Sequence, residues 1–113
     1  MEYSMNGILW RGYMINSNDP ILKRSDNTRT VGVTNVNTHC VYISNKLTGG
    51  FLRKVLTHEV CHSAMFSYGI DLPIETEEII CDFVASHAED IIDTVDYLFA
   101  NKSTQASTEA LAF

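Results

Sequence analysis

The chain has 113 residues, 45% of them hydrophobic and 19% charged, which suits one globular domain with a modest core and leaves no room for a second. Fourteen acids against eight bases give a net charge of −6. That balance argues against a dedicated nucleic-acid binder, because phosphate neutralisation needs clustered Lys and Arg. The charge is also divided: residues 1–54 hold seven bases and three acids, whereas residues 55–113 hold one base and eleven acids. No apolar run approaches the ~18 residues of a membrane span. The start, Met1-Glu2-Tyr3-Ser4, lacks the basic and apolar regions of a signal peptide, so a cytoplasmic location without membrane association is expected. Cys40, Cys61 and Cys81 form an odd set without CxxC spacing, which suits a reducing compartment.

From Ile8 to Val36 the sequence favours strands. Ile8–Ile15 is aromatic and apolar, and Thr30–Thr34 alternates β-branched residues with Gly or Thr. Asn16-Ser17-Asn18-Asp19-Pro20 between them has loop chemistry. A third strand, Cys40–Ser44, follows a short link and closes at Asn45-Lys46. These segments predict an α+β fold in which a small antiparallel sheet of about three strands, with a hairpin between the second and third, packs on helices. After Gly49-Gly50 the period changes to three and four, through Phe51, Val55, His58, His62, Met65 and Phe66, and Gly69 marks a helix end. Asp71-Leu72-Pro73 breaks the chain. A longer helix is expected from about Thr76 to about Phe99, with Ile80, Phe83, Val84, His87, Ile91, Val95 and Leu98 as its apolar stripe. The domain is expected to span residues 1–100, and residues 101–113, small and polar, to form a loose tail.

Residues 58–62 read His58-Glu59-Val60-Cys61-His62. Two histidines four apart on a helix lie one turn apart on one face and can aim two imidazoles at one ion. Glu59, about 100° around the helix from His58, flanks that ion without binding it and can take a proton from a water the metal activates. A shuffled chain of this composition, with four His and seven Glu, shows the pattern with a probability of roughly 1%, so accident is a weak explanation.

A zinc hydrolase needs a third protein ligand and keeps its fourth position for water. Glu75, Glu77, Glu78 and Asp82 at the start of the second helix supply acids. Glu78 and Asp82 are four apart on one face, so Glu78 is the expected third ligand and Asp82 the acceptor for the outer N–H of a liganding imidazole. Glu77 and then Glu75 are the next choices for ligand. The plainer alternative is that these acids favour the helix N-terminal dipole and solvate an exposed start. Cys61 is read as a small buried residue, and His39 and His87 as structural histidines. Tyr42, Tyr68 and Tyr97 stand as oxyanion-donor candidates, none of them assigned.

The HEVCH motif with its Glu-x-x-x-Asp partner resembles the gluzincin branch of zinc metallopeptidases. Val41–Asn45, Leu56–His62 and Glu78–Ala85 together resemble the compact ImmA/IrrE-type peptidases of bacteria, phages and mobile elements. The resemblance covers about residues 40–90. It implies an α+β core, one Zn2+ and limited proteolysis of a protein or peptide substrate, often a transcriptional repressor, in a bacterial or phage-infected cytosol. It places zinc ligation on His58, His62 and Glu78 and the catalytic base on Glu59. A metzincin is disfavoured, because Tyr68 stands where that branch needs a third His. The strand Cys40–Ser44 is expected beside the active helix, with an edge able to take an extended substrate. The alternative from another class is a zinc-stabilised, non-catalytic binding protein that sequesters a regulator. Sulfur of Cys61 on the metal would favour that alternative, and a metal-free chain would favour a simple interaction module.

Overall fold

The computed structural model describes residues 1–102, and the expected tail lies, from residue 103 onward, outside the described residues. The fold is α+β, with a four-stranded sheet and two helices. Strand β1 (Glu2–Met5) and strand β2 (Ile8–Ile15) form a hairpin across Asn6-Gly7. Both turn residues have positive φ, 48° and 78°, the requirement of a type I′ turn and the reason that Asn-Gly suits it. The sequence reading began the sheet at Ile8, so β1 is an additional strand. A single 3-10 turn at Pro20–Leu22, capped by Asp19, buries Leu22. Strands β3 (Gly32–Asn35) and β4 (Cys40–Ser44) form the expected hairpin.

The sheet order is β1-β2-β4-β3, and β4 runs parallel to β2. The sheet is therefore mixed, where an antiparallel one was expected. The cause lies in β4, most of whose residues are buried on both faces, a pattern that belongs in a sheet interior. The chain leaves β2, returns along the far edge as β3, and places β4 between them. Gly32–Asn35, not Cys40–Ser44, is consequently the edge strand beside the helices. Ser44 N–H donates to Val31 O at 2.9 Å. In an antiparallel register this leaves Gly32 and Thr34 directing N–H and C=O away from β4, towards the open edge.

Helix α1 (Gly49–Ser67) crosses the sheet, and its Val55 joins Trp10, Val41 and Ile43 in the core. Tyr3 OH donates to Ser63 Oγ at 2.9 Å and Trp10 Nε1 to Ser67 Oγ at 2.8 Å, which satisfies the polar tips of both aromatics. Truncating a buried Trp of this kind costs roughly 3–5 kcal/mol. The helix stops at Gly69 (φ 72°), where Gly69 N–H donates to Phe66 O and Ile70 N–H to Met65 O. This is a Schellman ending, and it turns the chain back on itself.

Helix α2 (Ile74–Ala100) then runs antiparallel to α1, with His62 against Glu77, His58 against Asp82 and Arg53 against Glu89. Only Cys81 of α2 is fully buried. The stripe expected to be buried is instead largely open, with Phe83 54%, Val95 52% and Leu98 59% exposed. For Val95 and Leu98 the reason is length, since 27 residues span roughly 40 Å and the 19 of α1 roughly 28 Å, whereas Phe83 lies within the reach of α1 and packs its ring on His87 of its own helix. The last turns of α2 therefore project past the start of α1. No helix of the described residues is long and apolar enough to cross a membrane.

Candidate metal centre

The helical step of four puts His58 and His62 on the side of α1 that faces α2, and the turn at Gly69 brings the acids of α2 opposite them. The rings meet edge to face with centroids 4.8 Å apart. Each Nδ1 has its own carboxylate. Asp82 Oδ1 lies 2.9 Å from Nδ1 of His58, and Glu77 Oε2 lies 2.6 Å from Nδ1 of His62. A carboxylate at Nδ1 fixes the Nδ1–H tautomer and leaves the Nε2 lone pair free. The two Nε2 atoms face one another at 3.1 Å. Glu78 closes the triangle, Oε1 at 2.9 Å from Nε2 of His62 and Oε2 at 3.2 Å from Nε2 of His58.

In that tautomer His58, His62 and Glu78 present lone pairs only, with ligand atoms all within 4.8 Å of one another. A cation placed among them would be met by all three. The spacing also fits zinc: two nitrogens bound at 2.0–2.1 Å to a tetrahedral ion stand roughly 3.3 Å apart. Cys61 is not in this group. It is partly buried and hydrogen-bonded to the fully buried Cys81, whose thiol is pushed well up first by burial and then by that bond.

Glu59 occupies the neighbouring face of α1, 8% exposed, and points at β3. The Thr34 hydroxyl stands 2.8 Å from its Oε1 and 3.0 Å from its main-chain O, donating to one or the other. Burial raises the carboxyl above its ordinary range, opposed by the Thr34 bond and by His58 and His62. Gly32 is the counterpart of this arrangement. A Cβ there would stand 3.0 Å from Cγ and Oε2 of Glu59 and from Cγ1 of Val55. The glycine therefore serves the close approach of strand to carboxylate.

Two clefts meet at the cluster. One, of about 560 Å³, opens between β3 and the α1–α2 turn, past Val36, Phe66, Ile70 and Ile74. The other, of about 350 Å³, opens past Val31, Phe51 and Lys54. His58, Glu59, Glu78, Gly32, Thr30 and Arg24 line both, so together they form one trough along the open edge of β3.

The structure thus brings together His58, Glu59, His62, Glu78 and Asp82. Glu77, read from sequence as a substitute ligand, holds an imidazole N–H instead. Glu75 is exposed at the first turn of α2. His39 packs its ring on Trp10 and Phe66, and His87 on Phe83, both away from the cluster. Tyr42 stacks on Tyr13, and Tyr68 and Tyr97 are exposed, so none of these three lines the trough. Thr34 and Gly32 were missed by sequence reasoning. The one signal for them, a Gly-x-Thr alternation on a β-branched strand, speaks for pleat and not for the carboxylate it faces. Compared with protein-family models, curated proteins and solved structures, the chain matches none.

Proposed function

We propose that the protein is a zinc-dependent peptidase that hydrolyses a peptide bond in an extended segment of a cytosolic protein, a repressor being the kind of substrate the sequence resemblance suggests. The observation that carries this reading is the close triangle of His58 Nε2, His62 Nε2 and Glu78, backed by a carboxylate on each Nδ1 and flanked by a buried Glu59 outside the triangle. His58, His62 and Glu78 would hold the ion. When bound, zinc would supply Lewis-acid polarisation of a carbonyl and a lowered pKa for a water.

The chain's own residues do the rest. Glu59, held by Thr34 at the cluster, accepts the proton of the attacking water and passes it to the leaving amine, as a general base and then acid. A raised carboxyl suits the first half of that shuttle, because it is a stronger base than an ordinary carboxylate and takes the proton of the water more readily. Asp82 and Glu77 keep the imidazoles oriented. The outward N–H and C=O of Gly32 and Thr34 can pair with an extended chain and lay its backbone across the cluster.

The test is a pair of variants. Glu59→Gln is expected to retain one zinc per chain and lose cleavage by 10²–10⁴-fold, whereas His58→Ala loses both. Cleavage retained in Glu59→Gln removes the mechanism. Zinc bound without turnover in the wild type favours the alternative, a zinc-stabilised protein that sequesters a regulator.

A further inference from the structure

Resting on the peptidase reading, we infer that the trough selects a substrate segment by polarity, taking an acidic side chain on the Lys54 side of the scissile bond, within reach of the shared Arg24, and an apolar one on the other, against Phe66, Ile70 and Ile74.

The asymmetry follows from how β3 lies. The residue before it, Val31, borders the smaller cleft, and the residue after its end, Val36, borders the larger one. A chain paired along this edge therefore passes from one cleft to the other across the cluster. The smaller cleft carries a cation of its own, Lys54, in addition to Arg24, which borders both clefts. Neither side chain makes a hydrogen bond or an ion pair with another described residue. The acids of the site are already engaged: Asp82 and Glu77 on imidazole N–H, Glu78 among the ligand atoms and Glu59 on Thr34. Asp26, in the same turn as Arg24, is taken up by the N–H and hydroxyl of Thr28.

Arg24 is also held in place. Its N–H donates to Thr28 O at 2.7 Å and its carbonyl accepts from Asn27 N–H at 3.0 Å, with Asn27 at φ 68°. Lys23 bridges Arg29, and the adjoining Leu22 is fully buried. The larger cleft has the opposite character. Phe66, Ile70 and Ile74 are 43%, 48% and 59% exposed there, and the carboxylates that line only that side are Asp71 and Glu77. An acidic substrate side chain is therefore favoured at the Lys54 end over the Asp71 end.

The experiment digests an equimolar mixture of random decapeptides with zinc-loaded wild type and sequences the products by mass spectrometry. The expected result is at least tenfold enrichment of Asp or Glu within three residues on one side of the cut, and of Leu, Ile, Phe or Met on the other. Arg24→Glu with Lys54→Glu should move the preference to Lys or Arg, and Arg24→Lys should keep it. Both side chains are exposed and unpaired, so the variants fold. Cleavage without an acidic preference, or with one that charge reversal leaves in place, overturns the inference and leaves the peptidase reading standing. If no peptide is cut, that reading falls, and binding decides the inference. A fluorescein-labelled peptide with three Glu before three Leu, or the reverse order, should bind wild type at least tenfold more tightly than the double variant by anisotropy. Equal or undetectable binding overturns it.

Discussion

Gly32→Ala tests the seating of Glu59 with a single methyl group. The added Cβ stands 3.0 Å from Cγ and Oε2 of Glu59 and from Cγ1 of Val55. Comfortable carbon contacts lie near 3.5–4.0 Å, so each must open by roughly half an ångström. Val55 belongs to the core and Oε1 of Glu59 is held by Thr34, so neither neighbour yields freely. Overpacking of this kind costs about 1–3 kcal/mol, which lowers Tm by about 4 °C per kcal/mol in a chain of this size. Zinc content should stay at one per chain, because His58, His62 and Glu78 are not touched. The displaced carboxylate should lower kcat by roughly 10- to 100-fold. Gly12→Ala is the control: its Cβ would meet nothing within 4 Å, so Tm and kcat should hold or Tm rise slightly. Thermal melts, metal analysis and peptide cleavage read the three quantities. A Gly32→Ala protein with wild-type Tm and wild-type kcat would refute the packing of strand on carboxylate.

Other outcomes follow from the same contacts. Glu77→Ala frees the Nδ1 of His62 and should weaken zinc binding 10- to 100-fold in chelator competition, although Glu77 is not a ligand. Ser67→Ala strips the buried indole N–H of Trp10 of its acceptor and should cost about 1–3 kcal/mol in urea unfolding without changing zinc affinity. Glu59 gives a pH dependence with a definite sign. Its folded-state value is raised, so the native chain holds the proton more tightly than the unfolded one, whose carboxyl titrates near 4.3. Its contribution is fully present below that value and is lost as pH rises through the folded one. In metal-free protein Glu59→Gln should therefore remain the more stable form at pH 7, with the difference shrinking towards pH 4 in thermal melts.

Much of this was legible in the residues, and the remainder was not for identifiable reasons. The two helices, the β3–β4 hairpin and the clustering of His58, His62, Glu78 and Asp82 follow from periodicity and spacing, which are local properties. Asn6-Gly7 is as local a signal as any, and it marks the β1–β2 hairpin, and Glu2–Met5 alternates polar and apolar residues, but four residues at the chain start are too short a run to announce a strand by pattern alone. The parallel pairing of β2 with β4 has no local signature, since which strand neighbours which is settled by burying β4 on both faces. The open end of the α2 stripe could not be foreseen from its own period, because what it lacks is the length of α1. Glu77 stood in the sequence only as a substitute for Glu78. Only the antiparallel packing that sets it against His62, one turn beyond the pairing of Asp82 with His58, puts it on the ring's Nδ1 and leaves Glu78 beside the two Nε2 atoms.

X-ray absorption at the zinc edge of protein purified with zinc and freed of loosely bound metal tests the central claim most directly. The account predicts one zinc per chain in a first shell of two imidazole nitrogens and light oxygen scatterers, including one from Glu78, with the oxygen count reduced in Glu78→Ala. A chain that holds no zinc, or one whose zinc carries a sulfur scatterer lost in Cys61→Ser, would contradict it.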